Sequence, residues 1–139
     1  DQFTGIAFLN YIATLKGVDK KKAKQEIPRL LELVGLGDVG KKKISSYSGG
    51  MKQRLGIAQA LINDPEIIIL DEPTVGLDPI TEQALLRVFM KELEGKTLVW
   101  ITHHLKGIEH ADRILFIENG QLELEGSPQE LSQSSQRYR

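Results

Sequence analysis

Hydrophobic residues in the first part of the chain recur at the spacing of amphipathic helices. Between Thr4 and Leu15 the apolar side chains fall three or four residues apart, and Thr4 is placed to cap the helix. A second helix is predicted to begin after Asp19, with an apolar face that continues to Val34. Pro28 lies inside this second pattern, and because proline lacks a backbone N–H we expect it to kink or split the helix.

From residue 47 onward, helical patterns alternate with short apolar runs. A third helix is predicted from about Met51 to Asn63, followed by a strand over residues 66–70. Asp78 and a following proline form a start signal for a fourth helix, and residues 97–101 are rich in the β-branched and aromatic residues of strands. With a helix between them, the two strands are expected to be parallel neighbours joined by a right-handed crossover.

The sequence pattern predicts short secondary-structure elements in the last third of the chain. A short helix is expected over residues 104–110, and residues 114–118 and 121–125 form a predicted hairpin around Asn119-Gly120. Ser127 is predicted to cap a final short helix, and the tail from Ser132 is expected to fray. The order of the elements indicates an α/β fold with an added helical part, because helices come first, strands then alternate with helices, and a hairpin follows.

Composition narrows the possible classes of protein. The chain has 139 residues, 40% of them hydrophobic, a formal net charge of −1 and no cysteine. This balance is typical of one water-exposed domain, favours neither nucleic acid nor an anionic membrane as a partner, and excludes disulfides and thiolate metal sites. We expect a cytoplasmic protein that sits in water, with any membrane link coming through a partner.

Two segments carry residue types suited to phosphate chemistry. Ser48, Gly49 and Gly50 directly precede a helical pattern, where bare backbone N–H groups can bind an anion and glycines allow close approach. The second segment is an apolar strand that delivers Asp71 and Glu72 to its carboxyl end. Taken singly, the first segment is equally compatible with a simple helix cap and the second with solvated acids at a strand end.

At their spacing, these two segments resemble the signature and Walker B motifs of ABC-type ATPases. Residues 76–78 resemble the D-loop of that family, and Thr102-His103 resembles its switch histidine. The resemblance implies a partial P-loop NTPase core with parallel strands, a helical subdomain at the N-terminus and a C-terminal β-hairpin. Residues 1–46 would be the helical subdomain, and residues 47–139 the C-terminal part of the catalytic core.

The resemblance also implies roles for the acidic and histidine residues. Asp71 would hold Mg²⁺, usually through water, and Glu72 would polarise the water that attacks the γ-phosphate of ATP. His103 would contact the γ-phosphate and orient that water; His104 is a competing candidate, whereas His110 is interpreted as structural.

The signature segment would act between two subunits. In the family, it closes over the nucleotide bound by the opposite subunit, with the Ser48 side chain and the Gly50 N–H as the contacts. Gly49, Gln53 and Asp78 complete the predicted nucleotide-binding set. The implied partners are therefore a second ABC ATPase domain and the transmembrane subunits of a transporter.

The chain departs from the family pattern in several ways. It contains no G-x-x-x-x-G-K-[ST] segment and no adenine-stacking loop, and Gln2 does not fit the family's Q-loop glutamine. Because phosphoryl transfer needs the phosphates held first, the chain alone is expected to be inactive. Residues up to Asp78 look closer to bacterial drug, antibiotic or lipid exporters, and those from Pro79 to the thiol exporter of cytochrome bd assembly.

Three functional interpretations follow. The first is an ATPase subunit of a bacterial exporter, or a piece of one. The second is an inactive fragment or engineered composite that retains the motifs, an interpretation favoured by the missing phosphate loop. The third, a soluble ABC ATPase of translation or DNA repair, is disfavoured because no long coiled-coil insertion is present.

Overall fold

The computed structural model describes residues 2–104 and 107–134. It divides into two compact units, the first reaching Thr102 and the second beginning at His103. The helices and strands of the first unit are α1 (Gly5–Leu15), α2 (Lys20–Leu33), α3 (Gly49–Leu61), β1 (Ile67–Asp71), α4 (Pro79–Glu92) and β2 (Thr97–Ile101). Those of the second unit are β3 (Ile114–Glu118), β4 (Gln121–Gly126) and α5 (Pro128–Ser134).

The first two helices begin where their capping residues predict. The Thr4 side chain accepts a hydrogen bond from the Ala7 N–H, and one Asp19 carboxylate oxygen accepts from two N–H groups in the first turn of α2. The predicted split at Pro28 is wrong, because α2 continues through it. Pro28 lies on the exposed face, while the opposite face of the helix is buried in the core and holds it together.

The core of the first unit lies between the helices and one face of the sheet. Leu9, Leu30 and Ala58, one from each of the first three helices, are completely buried. Arg54 of α3 donates hydrogen bonds of 3.1 Å to the backbone carbonyls of Val34 and Gly35 just after α2. The segment that begins at Ser48 is therefore anchored to the helical part of the chain.

Strands β1 and β2 are parallel neighbours, which confirms the predicted pairing. Their register runs from Ile67 opposite Thr97 to Asp71 opposite Ile101. The first strand extends one residue beyond its predicted end because pairing continues through Asp71. The Glu72 N–H then donates to the Ile101 carbonyl at 2.9 Å. The sheet thus holds the acidic end of β1 beside the end of β2.

The two faces of this small sheet differ in burial. Ile68 and Leu70 point into the core, while Ile67 and Ile69 on the other face are 64% and 65% exposed. On the covered side, Phe89 of α4 meets the ring of Trp100 edge-on, with ring centroids 5.9 Å apart. The helix between the strands therefore covers only one face.

The second unit contains the predicted hairpin. Strands β3 and β4 are antiparallel, and both Asn119 and Gly120 have positive φ angles, as an Asn-Gly hairpin turn requires. Ser127 and Glu130 cap α5 reciprocally: the Glu130 carboxylate accepts from the Ser127 N–H at 2.8 Å, and the Ser127 hydroxyl accepts from the Glu130 N–H at 3.3 Å. These contacts confirm the predicted cap.

Two terminal predictions fall partly outside the described residues. Of the helix predicted over residues 104–110, the structure describes a single 3₁₀ turn at Ile108–His110, and residues 105 and 106 lie outside the description. Residues 135–139 of the predicted frayed tail lie outside it as well. The combination of a parallel strand pair, a helical N-terminal part and a C-terminal hairpin confirms the predicted fold class. Among the described residues, no helix combines the length and apolar character needed to cross a bilayer.

Candidate functional site

The signature segment forms the N-terminus of α3. The Ser48 hydroxyl accepts a hydrogen bond from the Met51 N–H at 3.2 Å, and the first intrahelical bond runs from the Lys52 N–H to the Ser48 carbonyl. The helix therefore begins at Gly49, two residues before its predicted start. The N–H groups of Gly49 and Gly50 precede the first intrahelical donor, at the end of a helix that carries partial positive charge.

The two glycines of this segment have different surroundings. A Cβ atom built on Gly49 meets no described atom within 4 Å, whereas one on Gly50 lies 3.1 Å from the Leu77 Cδ2 atom and 3.4 Å from the Gly76 carbonyl oxygen. Gly50 therefore packs closely against residues 76–77, while the Cβ position of Gly49 is open.

The carboxylates of Asp71 and Glu72 are held in different environments. Asp71 is the last residue of β1 and lies on the exposed face of the sheet. Glu72 follows with a φ of 47°, in the left-handed region, so the chain turns sharply there. One Glu72 carboxylate oxygen accepts a hydrogen bond of 3.1 Å from the Thr102 hydroxyl at the end of β2. The turn separates the two acids, and Thr102 orients the second.

Gln53 connects α3 to the same turn. Its side-chain Nε2 donates to the Glu72 carbonyl oxygen at 2.9 Å, and the Val75 N–H donates to that carbonyl at 3.2 Å. The signature helix and the end of β1 therefore meet at Glu72. Sequence reasoning placed Gln53 only among the nucleotide contacts and Thr102 only beside His103, because neither pattern indicates a bond between distant segments.

A groove of about 250 Å³ lies between α3 and the end of β1. Asp71, Gln53 and Gly56 are among its lining residues, together with Lys16 from the end of α1. The Lys16 ammonium donates to the backbone carbonyls of Gln59 and Ile62 at the C-terminal end of α3, at 3.0 and 3.4 Å. Its charge is therefore directed at the helix end rather than at the carboxylates.

Asp78 of the D-loop segment caps α4. One carboxylate oxygen accepts from the Ile80 and Thr81 N–H groups at 3.1 Å, and the other accepts from the Thr81 hydroxyl at 2.5 Å. These bonds, led by that of the Thr81 hydroxyl, lower the pKa of the Asp78 carboxyl. The predicted start of this helix is confirmed, and the nucleotide contact assigned to Asp78 stays a prediction.

The two candidate histidines belong to the second unit. The rings of His103 and His104 have centroids 4.0 Å apart, and both residues are exposed. His110 ends the 3₁₀ turn of this unit. The contact of His103 with the γ-phosphate stays a prediction.

Comparison with known proteins gives consistent matches. The family model described as ABC transporter matches residues 5–75. The glutathione/L-cysteine transport system ATP-binding/permease protein CydD of Bacillus subtilis is 56% identical over 93 residues, which are 67% of this chain and 16% of that protein. The uncharacterized ABC transporter ATP-binding protein YxlF of the same organism is 39% identical over 96% of this chain and 45% of its own length.

Relatives named for export are also similar. The Nod factor export ATP-binding protein I of a Rhizobium species is 40% identical over 83% of this chain and 38% of that protein. The chain thus spans less than half the length of these curated relatives. Since the family model covers half of the sequence, and the fold places both characteristic motifs in one unit, the chain belongs to the ABC transporter family.

Proposed function

We propose that this chain is part of the ATP-binding and ATP-hydrolysing subunit of a bacterial ABC exporter, which couples hydrolysis to transport. The observation that carries the proposal is the turn after β1. It leaves the Asp71 carboxylate exposed at the sheet edge and fixes Glu72 through its N–H, its carbonyl and its carboxylate. Two adjacent acids held so differently suit two different tasks.

Asp71 suits a magnesium ion. Its carboxylate offers hard oxygen ligands at an exposed strand end, where Mg²⁺ would keep most of its waters. When bound, that ion would neutralise charge on the phosphates of ATP. Glu72, with one carboxylate oxygen held by Thr102, would accept hydrogen bonding from the attacking water and orient it.

The N-terminus of α3 suits the γ-phosphate of a nucleotide held by a second ABC ATPase domain. The Ser48 hydroxyl and the early N–H groups of the helix lie at its positive end, and a glycine with an uncrowded Cβ position at 49 would let a phosphate approach closely. Gly49 and Gly50 would then belong to a composite site formed by two subunits, whereas the Gln53 amide is engaged with the Glu72 carbonyl of its own chain.

The proposed partners are that second domain and transmembrane transporter subunits, which would place the protein at the cytoplasmic side of the inner membrane. Relatives named as a glutathione/L-cysteine transport system protein, a probable multidrug ABC transporter ATP-binding protein and a Nod factor export protein support an exporter.

The proposal is tested by binding to a complete ABC ATPase domain that carries its own phosphate loop and ATP. The chain should bind this domain in the presence of ATP, and Ser48→Arg should weaken binding at least tenfold because a long side chain would fill the phosphate position. Ser45→Arg is the matched control, since Ser45 is also exposed and the charge change is identical. Equal binding by the Ser48→Arg and Ser45→Arg chains would contradict the proposal and leave Ser48 as a helix cap only.

A further inference from the structure

The contact between Gln53 and Glu72 joins two segments that are far apart in sequence. Gln53 lies in the second turn of α3, is half-buried, and donates from Nε2 to the Glu72 carbonyl oxygen over 2.9 Å. A carbonyl oxygen can only accept, so the amide must present its nitrogen there. Gln53 is therefore the donor in this hydrogen bond, and its side-chain amide has one orientation.

Glu72 has a backbone conformation that needs support. Its φ of 47° is uncommon for a residue with a side chain, and such conformations persist where the surroundings hold them. The Val75 N–H contact lies within the same turn, and the Ile101 carbonyl holds the Glu72 N–H from β2. Gln53 holds the carbonyl side of the residue from α3.

We propose that Gln53 is a positioning residue for Glu72, a role that rests on the proposed function of Glu72 in hydrolysis. By holding the Glu72 carbonyl, the Gln53 amide keeps the turn in its left-handed conformation. The Glu72 carboxylate is then directed to the Thr102 hydroxyl, 3.1 Å away. Without the amide, the peptide that follows Glu72 can rotate and the carboxylate loses its fixed direction.

The variant Gln53→Met removes the hydrogen-bond donor while keeping side-chain length and helix propensity. Gln59→Met is the matched control, because Gln59 lies six residues further along α3 and its backbone carbonyl, not its side chain, is bonded to Lys16. Thermal unfolding of both variants, followed by circular dichroism, shows whether each still folds.

The first readout is NMR of the 139-residue chain without nucleotide. In Gln53→Met, the Glu72 carbonyl carbon resonance should shift and the left-handed pattern of its Cα and Cβ shifts should be lost, whereas Gln59→Met should leave both unchanged. Unchanged Glu72 resonances in a folded Gln53→Met chain would overturn the proposal. If that variant fails to fold, scalar coupling across the hydrogen bond in the unsubstituted chain decides, and absence of this coupling would overturn it.

The second readout is ATP turnover in an assembly that supplies this chain with a phosphate loop. Gln53→Met should lower kcat about tenfold with KM unchanged, because a misdirected carboxylate affects the transition state rather than ATP binding. A wild-type kcat would overturn the role of Gln53 in the reaction. Absence of turnover in the unsubstituted assembly would instead speak against the proposed function, and the NMR result would still decide whether Gln53 positions Glu72.

Discussion

The substitution Gly49→Ala should raise the stability of the chain and weaken its proposed binding to an ATP-loaded domain. Gly49 is the first residue of α3, its φ is not positive, and an added Cβ meets no described atom within 4 Å. Alanine there restricts the unfolded chain without a clash in the folded one. The expected gain is about 0.4–1 kcal/mol in the free energy of unfolding.

The same methyl group would occupy the space through which a phosphate reaches the helix N-terminus. If it displaces the phosphate from one N–H group, a hydrogen bond to a charged group worth about 1.5–3 kcal/mol is lost. That loss corresponds to roughly 10- to 150-fold weaker binding. The two effects have opposite signs, so they cannot both come from a general change in folding.

Gly50→Ala is the matched comparison. Its Cβ would lie 3.1 Å from the Leu77 Cδ2 atom, so the stability gain should be smaller than for Gly49→Ala or reversed. Urea unfolding measured by circular dichroism gives the stabilities, and titration with the ATP-loaded domain gives the affinities. A Gly49→Ala chain that is more stable and binds with unchanged affinity would refute the assignment of this space to the phosphate.

Three further predictions concern activity, alkaline stability and helix α2. The purified chain should show no Mg²⁺-dependent ATPase activity above a Glu72→Gln control, and clear turnover would mean that another group holds the phosphates. Burial raises the pKa of the Tyr47 phenol from its ordinary value of 10.0. Below that ordinary value the neutral phenol makes its full contribution to the free energy of unfolding, and this contribution is lost as the pH rises through the raised pKa. Tyr47→Phe should lower the free energy of unfolding at pH 7 by about 1 kcal/mol, because the hydroxyl donates to the Val39 carbonyl at 2.7 Å. It should also reduce the loss of stability at alkaline pH, and an unchanged dependence of stability on pH would contradict this. Pro28→Ala should raise the free energy of unfolding in urea by about 2 kcal/mol, because it restores a backbone N–H on the exposed side of α2. A destabilised variant would show that the proline is required there.

Local patterns in the sequence determined most of the secondary structure. Asp19 and Asp78 cap helices because a short carboxylate reaches N–H groups two and three residues ahead in the same chain. Asn119-Gly120 closes the hairpin because both residues tolerate positive φ. Such interactions involve neighbours in sequence, so their effect is visible without knowledge of the fold. The apolar run over residues 66–70 likewise indicated β1, whereas its end at Asp71 came from pairing with β2.

Tertiary structure decided how the candidate site is arranged. Pro28 remains inside one helix because packing of the opposite face outweighs a missing backbone bond, which local propensity cannot indicate. Gly49 and Gly50 look alike in sequence, and the packing of Gly76 and Leu77 against Gly50 distinguishes them. The bonds of Gln53 and Thr102 to Glu72 span 19 and 30 positions along the chain. Their partners are chosen by how α3 and β2 pack around β1, so the sequence could identify the acidic residue but not what holds it.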